Sequence, residues 1–247
     1  MKLDKRNRDL VFLSLCASVS LVSSSLTASE LDFINGQLSA NNSSAISSVS
    51  NQSGSSKVAK LDTAKTIEKE VNNHFEQAVS KIDNILFTQQ KKLINTPSKL
   101  YQFVNSELLP LWNSERTLKL LLGASKWKAL TANEIDSLNR TFDQTMRRYI
   151  NEGMKFYDGQ RIKLVSVNLN KKQTKGIVTI EISPIYLPAF KINFKISKSN
   201  DQWLLYDILV EGISYVKMKK NEYRRIVEQQ GVDELLAYLD EKNMPRN

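Results

Sequence analysis

Apolar side chains recur at steps of three and four residues from Asp62 onward, which predicts a long amphipathic helix. The stripe consists of Ile67, Val71, Phe75, Ala78, Ile82, Ile85 and Leu86. Such a stripe leaves one side of the helix apolar, and that side must pack against another element. The helix is therefore expected to be part of a larger fold.

Three more helices are predicted before the first strand. The dipeptide Thr96-Pro97 is typical of a helix start, and the apolar positions that follow it run to Pro110. A short helix is expected over residues 114–122. Thr131 and Glu134 form a capping box, because each side chain can satisfy a free backbone N–H of the other residue, and a helix of about 25 residues follows.

The period of the apolar positions changes to two after Asp158-Gly159, which predicts strands. The four alternating runs are Val165, Val167 and Leu169; Val178, Ile180 and Ile182; Phe190, Ile192, Phe194 and Ile196; and Leu204, Tyr206, Ile208 and Val210. Polar loops between the runs favour antiparallel hairpins. Two helices follow, over residues 219–230 and from Asp233 onward. The predicted fold class is α+β, with helices packed on one four-stranded antiparallel sheet.

Residues 1–29 are predicted to be a secretory signal peptide. Basic residues such as Lys2 and Arg6 precede an apolar run over residues 10–22, and small residues suited to cleavage follow it. An uncleaved anchor is the alternative, but a run of about 13 residues is shorter than the roughly 20 that span a bilayer. A lipoprotein signal at Cys16 is a third option, although Leu15 is larger than the residue expected there.

Residues 30–61 are predicted to form a flexible linker, and residues 62–247 the folded domain. The segment 39–57 is rich in Ser and Asn, carries almost no charge and has no apolar period. Such a segment cannot bury enough apolar surface to offset the entropy lost on ordering.

The composition excludes some kinds of site. The chain has one His, His74, and one Cys, so it cannot build a Cys-rich zinc site or a disulfide scaffold. His74 alone cannot hold a metal ion, and neither a metal site nor a cofactor is expected. With 41% hydrophobic residues, most of the chain is predicted to fold.

Lys and Arg outnumber Asp and Glu by 35 to 26, a formal net charge of +9. Two basic clusters contribute to it: Lys171, Lys172 and Lys175 in a predicted hairpin loop, and Lys217, Lys219, Lys220, Arg224 and Arg225 around the penultimate helix. They are either solvated surface charge or a surface for anionic lipid head groups and acidic partners. Nucleic acid is not expected as a partner, because a secreted chain does not meet it and no groove-reading motif is present.

Several short motifs occur together in the order and spacing of one known family. They are SELLP at 106–110, LLG at 121–123, Trp127, Thr131, YDGQ at 157–160, Trp203, YDI at 206–208 and EGIS at 211–214. In this combination the sequence resembles the MlaC or toluene-tolerance family of periplasmic phospholipid-binding proteins over about residues 62–243. The Ser/Asn segment before the domain is longer than the family pattern.

The resemblance implies a cystatin-like or nuclear-transport-factor-like fold, in which a deep apolar cavity lies between the helices and a curved sheet. It implies a periplasmic carrier that shuttles glycerophospholipid between the outer and inner membranes and so maintains the lipid asymmetry of the outer membrane. The implied partners are an inner-membrane ABC transporter complex with a lipid-binding subunit and an outer-membrane lipoprotein–porin complex. Bound phospholipid is then cargo and not a cofactor.

The residues expected to line such a cavity are apolar positions on one sheet face and on the helices opposite. They are Leu109, Trp112, Phe142, Met146, Tyr149, Ile180, Ile182, Ile192, Phe194, Ile196, Ile208 and Val210. Each has an ordinary alternative, because apolar residues on a sheet face are usually core.

Two other functions stay open. Asp207 and Glu211 are a carboxylate pair on one predicted strand, which leaves a secreted acid–base enzyme on the same fold as an alternative. Carboxylates four residues apart on a strand lie about 13 Å apart, too far for a two-carboxylate mechanism. We therefore expect Asp207 to bind backbone groups or a basic side chain, and Glu211-Gly212 to fix a turn or bulge. A cell-envelope interaction module without lipid cargo is the other alternative.

Overall fold

The computed structural model of the chain describes residues 54–154, 156–186 and 188–244, with side chains from residue 65 onward. The predicted signal peptide and residues 30–53 of the predicted linker lie outside the described residues. The sheet and the helical residues from 64 onward belong to one unit that spans residues 64–247.

The predicted helices are all present. The α-helices in the described residues are α1 (Gly54–Asn95), α2 (Pro97–Phe103), α3 (Ser114–Leu122), α4 (Ala124–Ala129), α5 (Ala132–Met154), α6 (Tyr215–Gln230) and α7 (Val232–Asn243). A π-helical turn and a 3-10 turn extend α2 as far as Leu111. Two helices start earlier than their apolar stripes predicted, α1 at Gly54 and α6 at Tyr215, and the short α4 was not predicted.

The capping box at the start of α5 is confirmed. The Glu134 amide donates to Thr131 Oγ1 at 3.3 Å, and the Thr131 amide donates to Glu134 Oε2 at 2.7 Å. Ser214 caps α6 in a similar way, because its Oγ accepts a hydrogen bond from the Lys217 amide at 3.1 Å. Each cap satisfies backbone N–H groups that the first helical turn leaves free.

The sheet is antiparallel, with its strands in sequence order. The strands are β1 (Arg161–Leu169), β2 (Lys175–Ser183), β3 (Phe190–Ser199), β4 (Gln202–Val210) and β5 (Ile213–Ser214). The four long strands are those predicted, and β5 adds a fifth strand of two residues. Glu211 and Gly212 join β4 to β5 with φ of +50° and +82°, the left-handed backbone typical of a tight hairpin turn. Their predicted role in a turn is confirmed.

A bulge in β1 changes which side chains face the helices. The pairing with β2 shifts between Leu164 and Ser166, so Val165 has no partner opposite it and is 41% exposed. Leu164 and Val167 face the same side as a result. The prediction that Val165 alternates inward with Val167 was wrong, because one extra residue reverses the alternation on one side of it.

A second bulge, in β4, has the same effect. Leu205 lies opposite Ile196, whereas Asp207 lies opposite Lys195, so Tyr206 is the extra residue. The prediction that Leu204 shares a face with Ile208 was therefore wrong, because Leu205 takes that place.

The buried apolar residues form three clusters. The helical cluster is formed by residues of every helix from α3 through α7. It contains Leu118, Leu121, Leu122, Trp127, Leu138, Phe142, Tyr149, Tyr215, Val216, Tyr223, Leu235 and Leu239. The sheet cluster, where α1 crosses the sheet, contains Val71, Phe75, Val167, Val178, Ile196 and Trp203. The α1–α2 cluster contains Leu86, Leu93, Leu100, Phe103, Val104 and Met154. Partly buried apolar side chains pack around each of the three clusters.

Candidate functional site

The inner face of the sheet, on the side of the sheet cluster, is apolar across all four long strands. Residues directly opposite one another in the ladders form four rows: Ile162, Ile182 and Phe190; Leu164, Ile180, Ile192 and Val210; Val167, Val178, Phe194 and Ile208; and Leu169, Gly176, Ile196 and Leu205. The first two rows lie at the end where β1 and β3 begin. The inner face is therefore one apolar surface, four strands wide.

Burial differs among the residues of the inner face, and partly buried side chains occur in every row. Val178 and Ile196 are completely buried in the sheet cluster, under α1. In the first two rows Ile180, Ile182 and Val210 are only partly buried, although they face the side that the helices cover. Helices packed tightly over these rows would bury them as fully as Ile196. Part of the apolar surface of these three residues is thus accessible, whereas Ile192 in the second row is 3% exposed.

The helices contribute partly buried apolar side chains as well. Leu109, Trp112 and Met146 are each partly buried. Phe142 and Tyr149, also expected at the site, are buried in the helical cluster instead, at 0% and 7% exposure.

The predicted lining residues therefore occupy two settings. Those with accessible surface are Leu109, Trp112, Met146, Ile180, Ile182, Phe194, Ile208 and Val210. Those buried in the packed interior are Phe142, Tyr149, Ile192 and Ile196. The first set is the better suited to touch a ligand, because part of the surface of each side chain is accessible, although most of the set also pack against the clusters.

Other residues with the same character were missed by sequence reasoning. Ile162 and Leu164 lie in the first two rows and are partly buried, but the bulge at Val165 hid them. On α1, Ile82 and Ile85 are partly buried against the α1–α2 cluster. The helical period had already placed these two on the apolar stripe of α1, and that stripe was the available signal.

Trp112 connects the helices to the edge of the sheet. It forms a parallel bridge with Leu205, and the neighbouring Asn113 amide donates to the Leu205 carbonyl at 2.7 Å. The indole Nε1 of Trp112 is buried and has no hydrogen-bond partner among the described residues. A buried donor without a partner is costly and rare. It could donate to an oxygen of a ligand.

The first strand is fixed to α1 by an ion pair at the end of the inner face where the first row lies. The Arg161 guanidinium donates to both carboxylate oxygens of Asp83, and its two hydrogen bonds to Oδ2 are 3.0 Å and 2.6 Å long. The Ile162 amide donates to Oδ1 at 2.7 Å. Burial opposes the charge of Asp83, but these hydrogen bonds and the charge of Arg161 hold the pKa of its carboxyl below the ordinary value.

Tyr157 lies beside this ion pair. Burial, with the nearby charge of Asp83, raises the pKa of its hydroxyl above the ordinary value. The hydroxyl is buried and, within the part of the chain that the structure describes, has no hydrogen-bond partner. Like the indole of Trp112, it is a donor that a ligand oxygen could satisfy.

Replacing Asp83 with Asn should lower the free energy of unfolding at pH 7 by about 1.5–3 kcal/mol, the usual range for hydrogen bonds to a charged group. The folded-state pKa of Asp83 is depressed, so its contribution is present above the unfolded pKa near 4 and is lost as the pH falls through the folded value. Urea unfolding should therefore show a difference in unfolding free energy between the wild type and Asp83→Asn, and this difference should be smaller at pH 3 than at pH 7. The exposed Asp158→Asn serves as the control, and a difference independent of pH would contradict this account.

Asp207 is buried, at 1% exposure, and its carboxylate is fully occupied. Lys195 Nζ and Ser214 Oγ donate to Oδ2 at 2.7 Å and 2.6 Å, and the Val216 amide donates to Oδ1 at 3.1 Å. The prediction that Asp207 binds a basic side chain and backbone groups is confirmed. The carboxylate connects β3, β4 and the start of α6.

The two basic clusters differ in their surroundings. Lys171, Lys172 and Lys175 are exposed. In the second cluster, Lys219 is buried and paired with Glu222 at 2.9 Å, and Arg224 lies against α3. The second cluster is therefore partly structural and does not form a continuous free cationic surface.

Other candidate sites in the described residues do not compete with the inner face. A groove along residues 87–92 is lined mainly by polar and charged side chains, which do not suit acyl chains. No three metal-ligating side chains lie together in the part of the chain that the structure describes. None of the described helices is both long and apolar enough to cross a bilayer. His74 packs edge-on against Phe75, with 4.9 Å between the ring centroids.

Comparison with known proteins agrees with this geometry. The family model for the MlaC protein matches residues 76–241. Among curated proteins, the chain is 24% identical over 179 residues to the intermembrane phospholipid transport system binding protein MlaC of Haemophilus influenzae, covering 67% of this chain and 78% of that protein.

A solved structure shares the fold. It is a phospholipid-binding protein from Ralstonia solanacearum, determined in complex with a phospholipid, with a TM-score of 0.58 and 18% identity. The likeness covers 72% of this chain and 96% of that chain.

Proposed function

The chain belongs to the MlaC protein family, and on that basis we propose that it is a phospholipid carrier that holds acyl chains between its helices and the inner face of its sheet. The observation that carries the proposal is the partial burial of Ile180, Ile182 and Val210 on a face that the helices cover. Partly accessible apolar side chains on that face offer acyl chains a surface that the protein does not cover completely.

The energetics explain why a lipid needs such a protein. Moving a two-chain phospholipid through water exposes about 30 methylenes at roughly 0.8 kcal/mol each, a cost on the order of 24 kcal/mol. An apolar cavity removes most of that cost if the acyl chains enter it and the head group stays at a wet opening.

Two buried donors at opposite ends of the inner face are open to ligand oxygens. Tyr157 lies beside Asp83 and Arg161, next to the first row. Trp112 bridges to Leu205 in the fourth row. Trp112 Nε1 and the Tyr157 hydroxyl have no hydrogen-bond partner among the described residues. Ester and phosphate oxygens of a glycerophospholipid are acceptors, so binding would satisfy donors that are otherwise unpaired. This chemistry requires no catalytic residue.

The proposal extends to the place of transport. The Haemophilus relative is described as part of an intermembrane phospholipid transport system. We propose that this chain is likewise exported by its signal peptide to the periplasm and carries glycerophospholipid between the outer and inner membranes. Its exchange partners would be an outer-membrane lipoprotein–porin complex and an inner-membrane ABC transporter complex, and the result would be maintained asymmetry of the outer membrane.

Mass spectrometry of the chain purified without detergent from a Gram-negative periplasm tests the carrier function. We expect a stoichiometric glycerophospholipid in the native spectrum and in the solvent extract. A lipid-free protein that accepts no lipid from vesicles would overturn the proposal and favour an interaction module without cargo.

A further inference from the structure

Four large apolar side chains are exposed at the end of the sheet where the first two rows lie. Phe87 on α1 is 56% exposed, Phe156 after α5 is 54% exposed, and Ile185 and Tyr186 between β2 and β3 are 62% and 88% exposed. We call these four residues the tip patch. Exposed apolar residues that are grouped, and not scattered singly, mark interaction surfaces.

Contacts at Arg161 and Gly159 show that the tip patch is one surface. The Arg161 guanidinium lies 4.5 Å above the Phe87 ring, and Arg161 is opposite Ser183, the last residue before the loop that carries Ile185. A Cβ added to Gly159 would lie 3.6 Å from Ile185 Cδ1. The β2–β3 loop thus lies beside both α1 and the connection between α5 and β1.

The other side of the patch is fixed by amide side chains. Gln90, one turn after Phe87 on α1, donates to the Tyr157 carbonyl at 3.1 Å, and Gln160 donates to the Phe156 carbonyl at 3.1 Å. In the sequence, Phe87 follows Leu86 and Phe156 precedes Tyr157. Leu86 belongs to the α1–α2 cluster, and Tyr157 packs against it. Ile162 and Ile182 of the first row are the chain neighbours of Arg161 and Ser183, so the patch borders the proposed acyl site.

Positive charge surrounds the tip patch. Lys91 and Lys92 follow Phe87 by about one turn of α1, and both are exposed. Lys191, next to the β2–β3 loop, is also exposed. Of the acidic residues beside it, Asp83 is paired with Arg161 and Glu181 with Lys163, whereas Asp158, two residues after Phe156, is exposed and leaves the three lysines in excess. Cations around exposed aromatic and aliphatic side chains are complementary to a bilayer surface that carries anionic head groups.

We propose that the tip patch inserts into the head-group region of an anionic bilayer and places the opening of the acyl site against it. Tyr186 is suited to this depth, because a ring with a polar edge is stable at the membrane–water interface, and Phe87 and Phe156 supply apolar surface to insert. Pro184 directly precedes the exposed pair and restricts the backbone at its start. The proposal rests on the proposed function, since only a lipid carrier needs its opening at a membrane.

Co-sedimentation with vesicles tests the proposal. Vesicles containing phosphatidylglycerol should bind the full chain, vesicles of phosphatidylcholine alone should bind it less, and added salt should weaken the binding. The double variant Ile185→Ser/Tyr186→Ser should bind phosphatidylglycerol vesicles roughly tenfold more weakly, because it loses the inserted apolar surface. Lys91→Gln/Lys92→Gln should lose only the preference for anionic lipid. Ile177→Ser is the matched control, since Ile177 is 39% exposed on the outer face of the sheet and should not matter.

Lipid content measured in the same preparations separates this proposal from the proposed function. Retained phospholipid with lost vesicle binding in the double variant supports the insertion of the tip patch. Wild-type protein that carries phospholipid but ignores anionic vesicles, or a double variant that binds them like wild type, overturns insertion and makes the patch a docking surface for a protein. Wild-type protein without phospholipid overturns the carrier function itself.

Discussion

Replacing Val210 with tryptophan is expected to displace the phospholipid and leave the protein folded. Val210 lies in the same row as Ile180 and Ile192 and is only partly buried. A larger side chain there would occupy the accessible space that acyl chains need. We expect the affinity for phospholipid to fall about tenfold, which corresponds to ~1.4 kcal/mol of binding free energy. Solvent extraction should then recover less lipid, with the urea midpoint of the lipid-free protein nearly unchanged.

The matched control is Ile196→Trp. Ile196 is on the same face but is completely buried in the sheet cluster, so the larger ring should destabilise the fold by about 1–3 kcal/mol, as overpacking does. The contrast between the two positions is the test. Equal destabilisation by both substitutions, with no specific loss of lipid, would mean that the space beside Val210 is filled core.

The elements of the fold were predictable because their signals are local. The Thr131–Glu134 capping box, Pro97 at the first turn of α2 and the alternation in β3 each act through neighbouring residues, and the structure confirms all three. The start of α1 at Gly54 was not predictable in this way, because the Ser-rich sequence there lacks the apolar stripe.

The two bulges were beyond the reach of a pattern. Val165 and Leu204 fit strict alternation, yet one is exposed and the other is off the inner face, because an extra residue in each strand shifts the pairing. Bulges depend on partner strands far away in sequence, and a single strand's pattern does not contain them. This is why Ile162 and Leu164 were missed as candidates.

The site itself could be predicted as a face but not as a cavity. Ile180 and Ile196 are alike in residue type and in alternation, and yet α1 buries the second completely and leaves the first accessible. The difference arises from where the helices cross the sheet, which hydrophobicity does not encode. The structural role of Asp207 was easier to predict, because a carboxylate in an apolar strand must find hydrogen-bond partners when it is buried.

Asp207→Ala is expected to lower the free energy of unfolding by about 3–5 kcal/mol, as breaking a buried ion pair does. The substitution leaves the Ser214 hydroxyl and the Val216 amide without their acceptor, and Lys195 without its partner. These groups fix the start of α6 to the sheet, so the urea midpoint for cooperative unfolding of the whole domain should fall. Urea denaturation followed by circular dichroism measures the effect, with the slope of the transition unchanged.

Glu211→Gln is the control, because Glu211 lies exposed in the β4–β5 turn and its substitution should change stability by less than about 0.5 kcal/mol. Asp207→Asn keeps one acceptor oxygen and should fall between the two. The unfolding free energies of this series distinguish a structural carboxylate from a catalytic one. If Asp207→Ala folded as stably as the wild type, the hydrogen-bond network would not be what keeps Asp207 in β4, and an acid–base role for this carboxylate would become the better explanation.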